Sequence, residues 1–152
     1  MKKAILMIGN TLRGDDGITT YLGYLIEKEN IGWKVFYGGD TPESEFHKLR
    51  EFAPDVIVVA DAMTGTKIGS VEVIDISDQR DYMYSTHNLP MPILLSYLKG
   101  FCQVVLFLGL NVDIEKILEI NPSISEEAKV TAQKALEKMF EIDAIFDEQK
   151  IS

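Results

Sequence analysis

Asp55-Val56-Ile57-Val58-Val59-Ala60-Asp61-Ala62 is the stretch that decides the fold. Its β-branched run is apolar on both faces, as an interior strand of a parallel sheet covered by helices must be. The strand is expected to end at Asp61-Ala62. Only residues 63–70, with Gly65 and Gly69, separate it from a further strand, Val71-Glu72-Val73-Ile74-Asp75-Ile76. A connection that short cannot house a parallel crossover helix, so the second of the two strands runs antiparallel to the first, either beside it or at an edge. Its alternating polar residues favour a half-exposed edge.

Outward from this pair, strands and helices alternate. On the N-terminal side, Ala4-Ile5-Leu6-Met7-Ile8 reads as a buried first strand, and Ile18, Tyr21, Leu22, Leu25 and Ile26 fall at helical spacing over residues 18–29. Trp33-Lys34-Val35-Phe36-Tyr37 is the second strand, ended by Gly38-Gly39. Thr41 offers an N-cap oxygen with Pro42 at the first helical position, and Phe46, Leu49, Phe52 and Ala53 stripe a second helix up to Pro54.

On the C-terminal side, residues 77–86 read as a loop, and His87-Asn88-Leu89-Pro90 leads into a helix carrying Ile93, Leu94, Tyr97 and Leu98, stopped by Gly100. Val104-Val105-Leu106-Phe107-Leu108-Gly109-Leu110 supplies a fifth strand. After another loop, Ser125 caps a last helix ending near Ile142, with Ala128, Ala132, Ala135, Leu136 and Met139 facing inward. The expected fold is a three-layer α/β/α sandwich with a mixed, mostly parallel five-stranded sheet whose fourth strand is antiparallel. A single domain over residues 1–145 accounts for all of it, with residues 146–152 as a frayed tail.

The bulk composition excludes several classes. With 24 acidic against 15 basic residues in 152, the formal charge is −9, and no Lys/Arg cluster interrupts the acidic background. Nucleic-acid binding needs phosphate neutralisation, so it is not expected here. Cys102 is the only cysteine, which rules out an internal disulfide and a cysteine-based zinc site, and its apolar neighbours mark it as a buried structural thiol. No apolar stretch has the length of a membrane span, and the short apolar start lacks a signal-peptide cleavage site, so the expected compartment is the cytoplasm.

Chemistry concentrates where the parallel strands end. Gly9-Asn10-Thr11-Leu12-Arg13-Gly14-Asp15-Asp16-Gly17 follows the first strand and places adjacent carboxylates in a loop with three glycines. Asp61 ends the third strand, and His87 precedes a helix that must start at the same sheet edge if it feeds a parallel fifth strand. Right-handed crossovers therefore bring these residues to one crevice, the usual ligand site of open α/β sheets. Singly, each has a plainer reading: a solvated turn for the acid pair, a capping role for Asp61, and a helix-entry role for His87. Together, Asp16, Asp61 and His87 suit a divalent metal such as nickel or zinc, because mixed oxygen and imidazole donors leave positions open for substrate or water. Asp15 is expected to form the turn or orient its neighbour. No His-Glu-x-x-His, Gly-x-Ser-x-Gly or phosphate-cradling Gly-Lys motif is present.

Gly9-Asn10 with Gly14-Asp15-Asp16-Gly17, then Gly38-Gly39 with Pro42-Glu43, Asp61-Ala62 and Thr86-His87-Asn88-Leu89-Pro90, occur in that order. In this combination the chain resembles the hydrogenase maturation proteases, within them the branch that processes hydrogenase-3-type large subunits. The likeness runs from about Lys3 to Asp113. It implies an endopeptidase that removes a C-terminal extension from the large-subunit precursor of a nickel-iron hydrogenase after nickel insertion. It also implies that Asp16, Asp61 and His87 are the metal-contacting and catalytic residues, with nickel supplied by the substrate. Other divalent metals could occupy the same site. A monomer that docks transiently is sufficient for this work.

One departure is visible, because relatives often place an aspartate before the paired glycines where Tyr37 stands here, and Asp40 follows them. Two other readings remain at this point. A non-catalytic nickel-binding or hydrogenase assembly protein would have nearly the same sequence. A receiver-type signalling domain also has acids after strand one and an aspartate ending strand three, although it would carry a lysine where this chain has Gly109-Leu110-Asn111.

Overall fold

Strand β3 (Val56–Met63) lies at the centre of a five-stranded sheet, and all eight of its residues are at most 1% exposed. The computed structural model describes residues 1–75 and 90–151. Around β3 are β1 (Lys3–Ile8), β2 (Trp33–Gly39), β4 (Val71–Asp75) and β5 (Val104–Asn111) in the order β2-β1-β3-β5-β4. Pairing is parallel throughout except between β4 and β5, which run antiparallel from Val71 opposite Leu110 to Asp75 opposite Leu106. Of the two placements open to the fourth strand, the edge is the one adopted, with β5 inserted between it and β3.

Helices cover both faces. Helices α1 (Ile18–Glu29) and α4 (Glu126–Ile151) pack with Ile5, Met7, Val56, Val58 and Ala60 on one side. Helices α2 (Phe46–Phe52) and α3 (Met91–Lys99) pack with Ala4, Leu6, Ile57, Val59 and Phe107 on the other. Alternation along β1 and β3 supplies both cores from the same strands, which is why their sequences show no polar face. Cys102 is buried in the second core, where its thiol donates to the Val104 carbonyl at 3.3 Å, and burial pushes its pKa up.

Three boundaries differ from expectation. β3 continues through Asp61 and Ala62 to Met63, because both neighbours extend alongside it and Asp61 pairs with Ile8 and Gly109. The second helix opens as a 3-10 turn, Pro42–Glu45, and the Thr41 side chain makes no cap. Instead the Thr41 carbonyl accepts from the Ser44 backbone N–H at 3.0 Å and from its hydroxyl at 2.7 Å, which closes a tighter turn. The last helix passes Ile142 and runs to Ile151, so the expected tail from Phe146 is its final stretch. Phe146 is buried against the first core there.

The far end of α4 is tied to the sheet by Asp143. Its carboxylate accepts from the Lys3 ammonium and, at 2.8 Å, from Trp33 Nε1, while Lys3, 9% exposed, lies over the Trp33 ring. Removing Asp143 leaves the buried Lys3 ammonium only its longer 3.7 Å contact with Asp147 and takes the acceptor from Trp33 Nε1. Asp143→Ala is expected to lower the unfolding free energy by about 3 kcal/mol, read as a reduced midpoint in urea at unchanged m-value.

Candidate active site

The sheet has one topological switch point, between the carboxyl ends of β1 and β3. β1 leads into α1 on one face and pairs outward with β2, while the chain after β3 reaches α3 on the opposite face. In open α/β sheets such a switch point is the usual place for a ligand. The α3 helix also begins at this edge, since its C-terminal end feeds the start of β5 at the other.

From β1 the chain enters a compact, heavily bonded turn. Gly9 N–H donates to the Gly39 carbonyl at 2.9 Å, and Asn10 Oδ1 accepts from Leu12 N–H at 2.9 Å. Residues 14–17 then form a 3-10 turn that packs against β3 and holds Asp15 and Asp16, 4% and 2% exposed. A Cβ at Gly9 would sit 2.2 Å from the Asp16 carbonyl oxygen and 2.8 Å from Thr19 Oγ1, so only glycine lets the turn fold back onto the strand end. Gly14 has φ of +56°, and a Cβ there would meet the Lys116 carbonyl oxygen at 2.1 Å.

The two adjacent acids have separate tasks. Asp15 turns toward the start of α4, where Oδ1 accepts from Ser125 N–H and Oδ2 from the Ser125 hydroxyl, both at 2.7 Å. Ser125 Oγ in turn accepts from Ala128 N–H at 3.1 Å and caps the helix as its sequence predicts. Asp15 is therefore a structural clamp between the turn and α4. Asp16 Oδ2 accepts from Asn10 N–H at 2.8 Å, which fixes its carboxylate within the loop.

Asp61, 1% exposed, sits in β3 between Ile8 and Gly109. Alternation with Val59 and Met63 aims it toward the face covered by α2 and α3. Asp16 and Asp61 are thus both buried at the carboxyl edge on either side of the switch point, and neither is without a partner. His87, the third residue of the expected set, lies outside the described residues, as does the rest of Thr86-His87-Asn88-Leu89. Among the described residues, no three His, Cys, Asp or Glu side chains group as a metal site. His47 is on the surface of α2, where Nε2 is 3.0 Å from Glu51 Oε1.

The position before the paired glycines has been given over to packing. Tyr37 packs in a tilted arrangement with its ring centroid 5.6 Å from that of Tyr24, rests against Gly23 and donates its hydroxyl to Glu27, and burial pushes its pKa up. Asp40 instead lines a cleft of about 340 Å³ beside Gly9, Asn10, Gly39 and Thr41. The paired glycines make a bulge, since Met7 pairs with Tyr37 and Ile8 with Gly39, skipping Gly38. Two supports of the site are absent from the sequence reading. One is the Ser125 bond to Asp15, for which the acid-then-cap pairing gave no local signal. The other is the segment around Asn121, read only as loop, whose Asn-Pro pair marks a turn without saying what it meets.

A hydrogenase maturation protease family model matches residues 21–142, a span that contains Asp61 and His87 and starts after Asp16. The chain belongs to the hydrogenase maturation protease family. Members are peptidases, and this chain is one by that membership. The hydrogenase 3 maturation protease of Escherichia coli is 34% identical over 117 residues, 75% of each protein. A crystal structure of a [NiFe] hydrogenase maturation protease HycI from Thermococcus kodakarensis superposes with a TM-score of 0.76 at 26% identity, covering 94% of this chain and 93% of that one. A crystal structure of an uncharacterized protein from Wolinella succinogenes matches with a TM-score of 0.83 and 49% identity over 96% of this chain and 99% of that one.

The distinct tasks of the two acids are separable by substitution. Asp15→Ala should lower stability by about 2 kcal/mol in urea unfolding, since it leaves the start of α4 without its clamp. Gly9→Ala should lower stability by about 2–3 kcal/mol, because the clash is with backbone and cannot be relieved by a rotamer change.

Proposed function

We propose that this peptidase removes the C-terminal extension of a nickel-iron hydrogenase large-subunit precursor after nickel insertion, acting in the cytoplasm as a monomer that docks transiently. The observation that carries this reading is the pair of buried carboxylates, Asp16 and Asp61, at the carboxyl edge of the sheet after β1 and late in β3, in a member of this family. With His87 they engage the nickel that the substrate brings. Two carboxylates and one imidazole form an oxygen and nitrogen donor set suited to nickel and other divalent ions. The bond from Asn10 N–H to Asp16 Oδ2 fixes the orientation of that carboxylate within the loop.

The substrate's metal supplies Lewis acidity, which polarises the scissile carbonyl or acidifies an attacking water. Asp16, Asp61 and His87 set the position of the peptide relative to that metal, and a carboxylate serves as base for the water. Nickel thereby acts as a checkpoint: an unloaded precursor lacks the anchoring contact. An antiparallel β4 at the sheet edge is foreign to the all-parallel sheet of a receiver domain, which removes the signalling alternative. No observation favours a purely non-catalytic assembly role.

Two measurements test the proposal. Incubation with nickel-loaded and nickel-free precursor should shorten only the loaded form, seen as loss of the extension by mass. Equal cleavage of both would remove the checkpoint, and cleavage of neither would remove the reaction. Asp16→Asn and His87→Gln should each abolish processing, with circular dichroism and melting temperature close to those of the unaltered protein.

A further inference from the structure

The segment after β5 folds against the acid turn as a single unit. Asn121 N–H donates to the Leu12 carbonyl at 2.8 Å, Gly14 N–H donates to the Asn121 carbonyl at 2.7 Å, and Arg13 and Asn121 form a parallel bridge. This register sets Ile120 beside Leu12, while the Lys116 carbonyl closes over Gly14. Ile117 is buried in the first core and anchors the segment. Its apolar neighbours are held in water: Leu12 is 59% exposed, Leu118 62%, Ile114 53% and Ile120 87%. Ordered backbone that displays clustered large aliphatics marks an interaction surface, whereas single exposed apolar residues are ordinary.

We infer that Leu12, Ile114, Leu118 and Ile120 form the docking surface for the folded body of the protein substrate. The inference rests on the proposed function and names the part of the surface that meets the large-subunit precursor. A peptide bond cut at this sheet edge belongs to a partner whose remaining bulk must lie across the rim of the crevice. The aliphatic cluster is that rim on the α4 side, bonded through the backbone to the loop that carries Asp16. Beyond Asn121, Pro122 and Ile124 continue it into a cleft of about 240 Å³ walled by Tyr21 and Tyr24. Arg13, Glu115, Lys116 and Glu119 surround it with exposed charge of both signs, the arrangement of an apolar centre with a polar border. Docking here fixes the distance from the precursor's body to Asp16 and Asp61, so that only a C-terminal segment of suitable length reaches the acids.

The test compares Ile120→Lys and Leu118→Lys with the unaltered chain and with Ile145→Lys, an exposed aliphatic (54%) in the C-terminal part of α4. Binding to immobilised nickel-loaded hydrogenase large-subunit precursor is measured first. The two rim variants should raise Kd by about tenfold or more, with the control variant unchanged. All three should retain the melting temperature, since the altered side chains are already in water. In processing assays the same rim variants should raise KM with kcat preserved, the signature of lost uniform binding. An unchanged Kd in both rim variants overturns the docking surface. Binding by the unaltered chain without cleavage overturns the proposed reaction, while the Kd comparison still decides the surface. No binding by the unaltered chain overturns both.

Discussion

Removing β3 entirely from water constrains everything else in this molecule. Eight consecutive residues are buried on both faces, and one of them is an aspartate. Apolar burial of such a strand is strongly favourable, but a carboxylate in the same environment is costly unless hydrogen bonds or opposite charge relieve it. The sheet places Asp61 near the carboxyl end of the strand, next to Gly109 and Ile8, where the packed interior gives way to the crevice. The acid is thus held near the carboxyl edge of an otherwise apolar strand. Its burial strengthens every polar contact it makes, because in a low local dielectric each counts for more than it would in water.

The acid turn is built by subtraction as much as by bonding. Gly9 and Gly14 lack the atoms that would collide with the Asp16 and Lys116 carbonyls, and their absence lets the loop compress against β1 and the segment after β5. Once compressed, its two carboxylates point to different places. Asp15 is consumed by Ser125, and Asp16 turns back on its own loop to accept from the Asn10 N–H. Adjacent acids in a chain need not share a function, and here the fold separates them by giving one of them a helix cap to hold.

The layer architecture was legible because it depends on local properties. Unbroken apolar runs in β1, β3 and β5, helical spacing in residues 18–29, and a connection too short for a crossover each carry their own physical meaning. The edge position of β4 required more, since alternating polarity favoured an edge without naming the neighbour. The ends of elements were less legible, because they depend on partners distant in sequence. α4 outruns its predicted end through Asp143, whose partners are Lys3 and Trp33, and Thr41 lost its capping role to a hydroxyl on Ser44. Asp16 and Asp61 were expected at the carboxyl edge from their places after β1 and late in β3, and the structure buries both there. The clamp on Asp15 and the bridge through Asn121 were not expected, as both join residues about a hundred positions apart.

Helix α4, about 39 Å long at 26 residues, is fastened at both extremities. Ser125 ties its beginning to the acid turn at the carboxyl edge, and Asp143 ties its later turns to Lys3 and Trp33 at the amino edge. It therefore behaves as a tie-rod across the sheet, and the crevice inherits its rigidity from contacts made at the far side of the protein. Erosion of the C-terminal end would be felt as play in the jaws: the acid turn would keep its residues and lose its alignment.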